Sequence, residues 1–125
     1  MTKTIFIIDD DQETRKKYKK RLVAEGFRVI EAPDALEVVN ILMREKSRIE
    51  LILLDINMPE VDGREIFEII EEYAPHLEII VASLFPIGEQ KLKIPKAVDY
   101  FNKSQGEDVL LTKIRKLLGL EEVKK

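Results

Sequence analysis

Cysteine is absent from the 125 residues of this chain, which excludes disulfides, thiolate metal sites and cysteine nucleophiles. Tryptophan is absent too, and asparagine and glutamine occur three times each. No apolar run approaches the ~18 residues of a membrane span. Met1-Thr2-Lys3 leads straight into a strand pattern, so neither a span nor a signal peptide is expected. The net charge of −3 and pI of about 5.3 give no electrostatic reason to expect nucleic-acid binding. What the chain does have is charge of both signs, 36% of residues against a usual quarter or so. With so few amides, that is the profile of a heat-adapted protein. Hydrophobic residues, at 45%, suffice for one core. The composition describes a soluble, cytoplasmic chain with no membrane or nucleic-acid partner.

Apolar runs and helical patterns alternate from end to end, without internal repeats. Thr4 to Ile8, Phe27 to Ile30, Ile49 to Leu54, Leu77 to Ala82 and Val98 to Phe101 read as five strands. Between them, residues 12–25 carry Tyr18 and Leu22 at helical spacing, with Gly26 as the stop. Asp34 to Glu45 buries Ala35, Val38, Val39 and Leu42. Asp62 reads as a helix cap with Glu65 as its capping-box partner, ahead of Ile66, Ile69, Ile70 and Tyr73. Ser104-Gln105-Gly106-Glu107 reads as a second capping box, opening a helix with Leu110, Ile114, Leu117 and Leu118 and stopped by Gly119. Pro86 and Pro95 leave only residues 87–94 for a fourth helix of about two turns. Strands alternating with crossover helices predict an α/β fold, a flavodoxin-like, doubly wound, five-stranded parallel sheet of order 2-1-3-4-5 with a short or irregular fourth helix.

In that order strands one and three are neighbours, and ligands bind beyond the carboxyl ends of the strands. Strand one ends in three carboxylates, Asp9, Asp10 and Asp11, and strand three in Asp55. Ser83 and Lys103 end strands four and five on the same rim. Acids at strand ends can be simple helix caps, and Asp11, next to the helix start, is assigned that role. Carboxylates converging from two strands form an open Mg²⁺ site, because Mg²⁺ keeps several waters and takes one or two carboxylates plus phosphate oxygens. An EF-hand reading fails, since Asp9-x-Asp11-x-Glu13 lacks the glycine and the closing glutamate.

With the pair "DD" after strand one, "LLDINMPEVDG" around Asp55, the serine after strand four and "DYFNKS" around Lys103, the chain resembles a response-regulator receiver domain of two-component signalling. The resemblance covers essentially the whole chain, with residues 1–120 as the domain and 121–125 as a charged tail. It implies a phosphoacceptor rather than an enzyme, with Asp55 taking a phosphoryl group from a histidine kinase or phosphotransfer protein. Asp10, Asp55 and the backbone carbonyl of Asn57 would ligate Mg²⁺, with Asp9 acting through a water. Lys103 and Ser83 would contact the phosphoryl group, and Ser83 and Tyr100 would form the switch. The output would be a contact with a downstream protein target, since no attached effector domain is expected.

Three departures from the family pattern stand out. Leu84 occupies a position where a small residue is usual, and Ser104 follows the lysine where proline is usual, so that loop is expected to be arranged differently. Ser83 and Lys103 lie 20 positions apart, a short interval that compresses the fourth helix and makes a family-style dimer through it unexpected; a monomer or weak dimer is the expectation. Leu84 and the compressed helix also motivate an alternative, a degenerate receiver that binds proteins without being phosphorylated. "DDDQET" resembles the D-x-D motif of haloacid dehalogenase-type phosphatases, but Glu13 stands where their threonine would be. Finally, "RKKYKKR", residues 15–21, sets six cations on the first helix, either a solvated face or a surface for docking a kinase. Pro59 and Gly63 are expected to be structural, Gly63 through close approach.

Overall fold

The computed structural model describes residues 2–56 and 61–120. Five strands, β1 (Thr4–Ile8), β2 (Arg28–Ala32), β3 (Leu51–Asp55), β4 (Glu78–Ser83) and β5 (Asp99–Asn102), alternate with five helices. These are α1 (Gln12–Ala24), α2 (Ala35–Glu45), α3 (Val61–Tyr73), α4 (Ile87–Lys93) and α5 (Glu107–Leu117). The sheet is parallel throughout, in the order β2-β1-β3-β4-β5.

The three central strands are buried on both faces because their residues are apolar at every interior position, the pattern a parallel sheet covered by helices requires. Alternation then sorts them. Ile5, Ile7, Leu51, Leu53 and Phe101 meet Tyr18 and Leu22 of α1 and Leu110 and Ile114 of α5. Phe6, Ile8, Ile52, Leu54, Val81 and Tyr100 meet Val38, Ile41 and Leu42 of α2 and Phe67 and Ile70 of α3. Each such fully buried side chain contributes about 1.5–3 kcal/mol.

Asp11 caps α1, accepting from the amide of Thr14 at 3.2 Å. Asp34 caps α2 in the same way at 2.9 Å. Past the ends of α1 and α5, Gly26 and Gly119 take φ of 96° and 72°, the left-handed conformation that stops a helix with least strain. The fourth helix is short, at seven residues.

Several expectations need correction. β2 begins one residue after Phe27 and continues through Ala32, because its ladder with β1 runs to the pair Ile8–Ala32. α3 begins at Val61, so Asp62 lies inside its first turn rather than at its cap. Its buried stripe includes Phe67 and Ile70, while Tyr73 is exposed. α5 is capped by Gly106 with no side-chain bond, and Ser104 instead bonds Asn102. The turn assigned to Pro59 and the tail 121–125 lie outside the described residues.

Gly63 is structural for a steric reason. A Cβ built there would lie 2.5 Å from Cγ2 of Ile56, at the exit of β3. Gly63→Ala should therefore lower stability by about 1–3 kcal/mol, the cost of overpacking a close contact. A denaturant melt with unchanged slope and a lower midpoint would bear this out; an unchanged midpoint would mean that Ile56 moves aside freely.

Candidate functional site

Strand register brings the acids together. Ile8 pairs with Leu54, so the next residues, Asp9 and Asp55, stand level at the ends of adjacent strands. The alternation that sends Ile5, Ile7, Leu51 and Leu53 toward α1 and α5 continues into both. On the other side Asp55 pairs with Ala82, which places Ser83 one step further on. Ser83 in turn pairs with Asn102, so Lys103 follows, and its amide donates to the Ser83 carbonyl at 2.8 Å. Four strand ends thus supply one rim, as the sequence spacing requires.

Asp9, Asp55 and Ser83 are buried, at 1%, 3% and 0% exposure. The Lys103 ammonium lies 3.5 Å from Oδ2 of Asp9, and the other Asp9 oxygen accepts from the Asp11 amide at 2.9 Å. Burial raises the Asp9 pKa above its ordinary value. The Asp11 amide and Lys103 pull it down in part, while a hydrogen bond and the charge of Asp10 push it up. Asp10 itself is exposed on the rim.

Asp55 differs from its neighbours in being uncommitted. Both its oxygens are buried and have no hydrogen-bond partner among the described residues. Burial pushes its carboxyl well above the usual carboxylate range; Lys103 lowers it in part, and Asp9 raises it further. A buried carboxylate left in this state is costly. The arrangement favours whatever brings positive charge to Asp55: a proton, or a hard cation shared with the neighbouring acids. Asn57, whose carbonyl was expected to contribute, lies outside the described residues.

Ser83 Oγ accepts from the Phe85 amide at 3.1 Å, and Tyr100 points inward with its hydroxyl donating to the Ile94 carbonyl. Leu84 is 63% exposed. A cavity of about 190 Å³ between the end of α3 and the start of β4, lined by Phe67, His76 and Lys96 among others, lies at the opposite end of the strands and takes no part in this rim.

Three residues matter here that the sequence did not single out for this role. Arg15 bonds the Asp9 carbonyl at 2.6 Å and Glu31 at 3.3 Å, fixing the loop that carries the acids. Asn102 and Gln90 hold the loops that carry Ser83 and Lys103. Half the basic run is likewise structural: Lys19 pairs with Glu31, and Arg21 pairs with Glu25, Glu107 and Asp108. Lys16 and Lys20 are exposed and make no ion pair among the described residues.

The model of the response regulator receiver domain matches residues 5–115. The chain belongs to that family. As a receiver domain it is a component of two-component signalling and of a class that is generally not enzymatic. The polar-differentiation response regulator DivK of Brucella ovis is 28% identical over 123 residues, covering 95% of this receiver and 98% of DivK. The transcriptional regulatory protein GlrR of Escherichia coli K12 is 32% identical over 77 residues, 62% of this chain and 17% of GlrR, so the receiver spans under a fifth of that relative. The response regulator TrrA of Thermotoga maritima, crystallised in complex with Mg²⁺-BeF, matches at a TM-score of 0.79 and 28% identity over 93% of this chain and 99% of that one. Among the described residues no helix is long and apolar enough to cross a membrane.

Asp55→Asn should stabilise the metal-free receiver by about 1–4 kcal/mol at neutral pH, because a neutral amide replaces a buried charge that stands beside Asp9. Its folded pKa is raised, so between the unfolded and folded values the native state binds the extra proton and stability falls as pH rises. The advantage of the variant should therefore vanish below about pH 4, the unfolded value, grow between there and the raised folded pKa, and level off above it. Thermal melts in chelator across pH test this; a variant less stable than the parent at every pH would contradict it.

Proposed function

We propose that this receiver takes a phosphoryl group from a phosphohistidine on a partner kinase or phosphotransfer protein onto Asp55, and signals through protein contacts. The observation that carries this reading is the buried Asp55 carboxylate, whose two oxygens are uncommitted while its neighbours are engaged. Transfer breaks a phosphorus–nitrogen bond on the donor and forms a phosphorus–oxygen bond on Asp55. Such reactions depend on positioning and charge neutralisation more than on covalent assistance.

The donor set fits Mg²⁺, which when bound would neutralise charge on the carboxylate and the incoming phosphoryl oxygens. Asp10, exposed on the rim, Asp55 and the carbonyl of Asn57 would hold it. Asp9 would act through a water, in keeping with both its oxygens being occupied by Lys103 and the Asp11 amide. Lys103 would neutralise one phosphoryl oxygen, and the Ser83 hydroxyl would donate to another. Drawing Ser83 toward new charge on Asp55 would disturb its bond with Phe85, and so bias the loop that leads to α4 and Tyr100. Self-dephosphorylation would be slow, and the partners of this output are proteins. A cytoplasmic location accords with a kinase donor.

Intact mass after brief incubation with a small phosphodonor and Mg²⁺ tests the chemistry. One phosphoryl group should be gained, blocked by chelator and absent in Asp55→Asn. No gain from a protein that still binds Mg²⁺ would instead favour a receiver that works by binding alone.

The exposed Lys16 and Lys20 lie one helical turn apart on α1 and suit a negatively charged partner surface. Reversing both to Glu should slow phosphotransfer from the kinase by about fivefold or more at low salt, where exposed charges are least screened, and leave small-donor phosphorylation unchanged. Equal loss of both rates would contradict a docking role.

A further inference from the structure

Two polar side chains, Asn102 and Gln90, are placed where the phosphoacceptor chemistry gives them no role. Asn102 is the last residue of β5, next to Lys103. Its amide is used at both ends. Nδ2 donates to the Phe85 carbonyl at 3.2 Å, and Oδ1 accepts from the Ser104 amide at 2.8 Å and the Ser104 hydroxyl at 2.7 Å. The flanking donors and acceptor are of opposite kind, so only one orientation of the amide satisfies all three. One side chain thus ties the loop after Ser83 to the loop after Lys103.

Gln90, on α4, grips the same carbonyl from the other side. It is 2% exposed, and its Nε2 donates to Phe85 at 2.8 Å and to the Phe101 carbonyl at 3.1 Å, with the Ser83 carbonyl at 3.5 Å. Both protons of the amide are thereby spent, and the Phe85 carbonyl has both lone pairs filled by side-chain amides. The Gln90 Oε1 is buried with no hydrogen-bond partner among the described residues. An apolar residue would avoid that desolvation cost, so packing alone does not account for an amide here.

We propose that Asn102 is a positioning residue for the Asp55 chemistry, acting through the shared Phe85 carbonyl to hold the Ser83 and Lys103 loops in mutual register, with Gln90 extending that coupling into α4. The inference rests on the phosphoacceptor reading for its kinetic consequence, but the coupling itself does not. It also accounts for the departure at Ser104. Proline has no amide hydrogen, so the bond from Ser104 to Asn102 exists only because proline is missing. The shortened interval between Ser83 and Lys103 is bridged by side chains where a longer helix would otherwise set the spacing.

The test uses Asn102→Ala and Gln90→Met, the second close in volume but without donors, and their combination. In the unphosphorylated protein, amide hydrogen exchange is read at Phe85 and at Ser104. Asn102→Ala should speed exchange at both. Gln90→Met, which touches neither Lys103 nor Ser104, should still speed it at Ser104. Change confined to the mutated side of the network would overturn the coupling. Phosphorylation rates from a small donor, compared at equal fractions folded, should fall about three- to tenfold for each variant, a transition-state loss of about 0.6–1.4 kcal/mol transmitted to the site. The double variant should fall by less than the product of the two. Ser104→Ala keeps the amide bond and should retain most of the rate, whereas Ser104→Pro removes it and should behave like Asn102→Ala. Unchanged rates in a wild type that is phosphorylated would overturn the positioning role. A wild type that takes no phosphoryl group would count against the phosphoacceptor reading and the kinetic role together, while the exchange data would still decide the coupling.

Discussion

The structure depends on a charge imbalance confined to one place. Asp9 and Asp55 are buried side by side, and Lys103 is placed against Asp9, leaving Asp55 without a hydrogen-bond partner among the described residues. A buried carboxylate in that condition works against folding, and a chain shaped for stability alone would have an apolar residue or an amide there. The strain has the right sign for a site awaiting positive charge. The surrounding groups are held in place: the Asp9 carboxylate accepts from the Asp11 amide and the Asp9 carbonyl from Arg15.

Everything that delivers this imbalance follows from the parallel sheet. A strand buried on both faces must be apolar along its length, so a polar residue is admitted only where the strand ends. Because the register pairs Ile8 with Leu54 and Asp55 with Ala82, Asp9 and Asp55 fall at one level and Ser83 one step beyond. The same rule places Ser83 beside Asn102 and Lys103 beyond it. The helices serve this rim unequally. α1 contributes cations that lock it to β2 and α5, leaving Lys16 and Lys20 outward, whereas α4 contributes a buried amide that reaches the loop carrying Ser83.

Much of this was legible in the residues because it follows from period and punctuation. Continuous apolar runs marked the strands, Gly26 and Gly119 marked helix ends, and the two prolines bounded α4 to the seven residues observed. The carboxylates were legible because an acid directly after a buried apolar run carries a desolvation cost that a partner or a cap must offset. What escaped detection depends on three-dimensional competition for hydrogen bonds. Ser104 and Glu107 have capping-box spacing, yet Asn102 offers the serine a nearer acceptor and Gly106 becomes the cap. Asn102 and Gln90 drew no reading from the sequence, since nothing local says that a glutamine in a two-turn helix will be buried against three carbonyls. The one available signal was the absence of proline at 104, which leaves an amide hydrogen needing an acceptor.

The central claim is that Asp55 is held ready for a cation, and a magnesium titration followed by thermal unfolding tests it most directly. Binding to the native state alone raises stability by RT ln(1 + [Mg²⁺]/Kd), so the melting temperature of the wild type should climb steadily with magnesium, by about 2.7 kcal/mol of stability at one hundred times Kd. Asp55→Asn should begin higher and respond far less. A wild type indifferent to magnesium, or a variant that responds equally, would mean that the buried carboxylate is not part of a metal site.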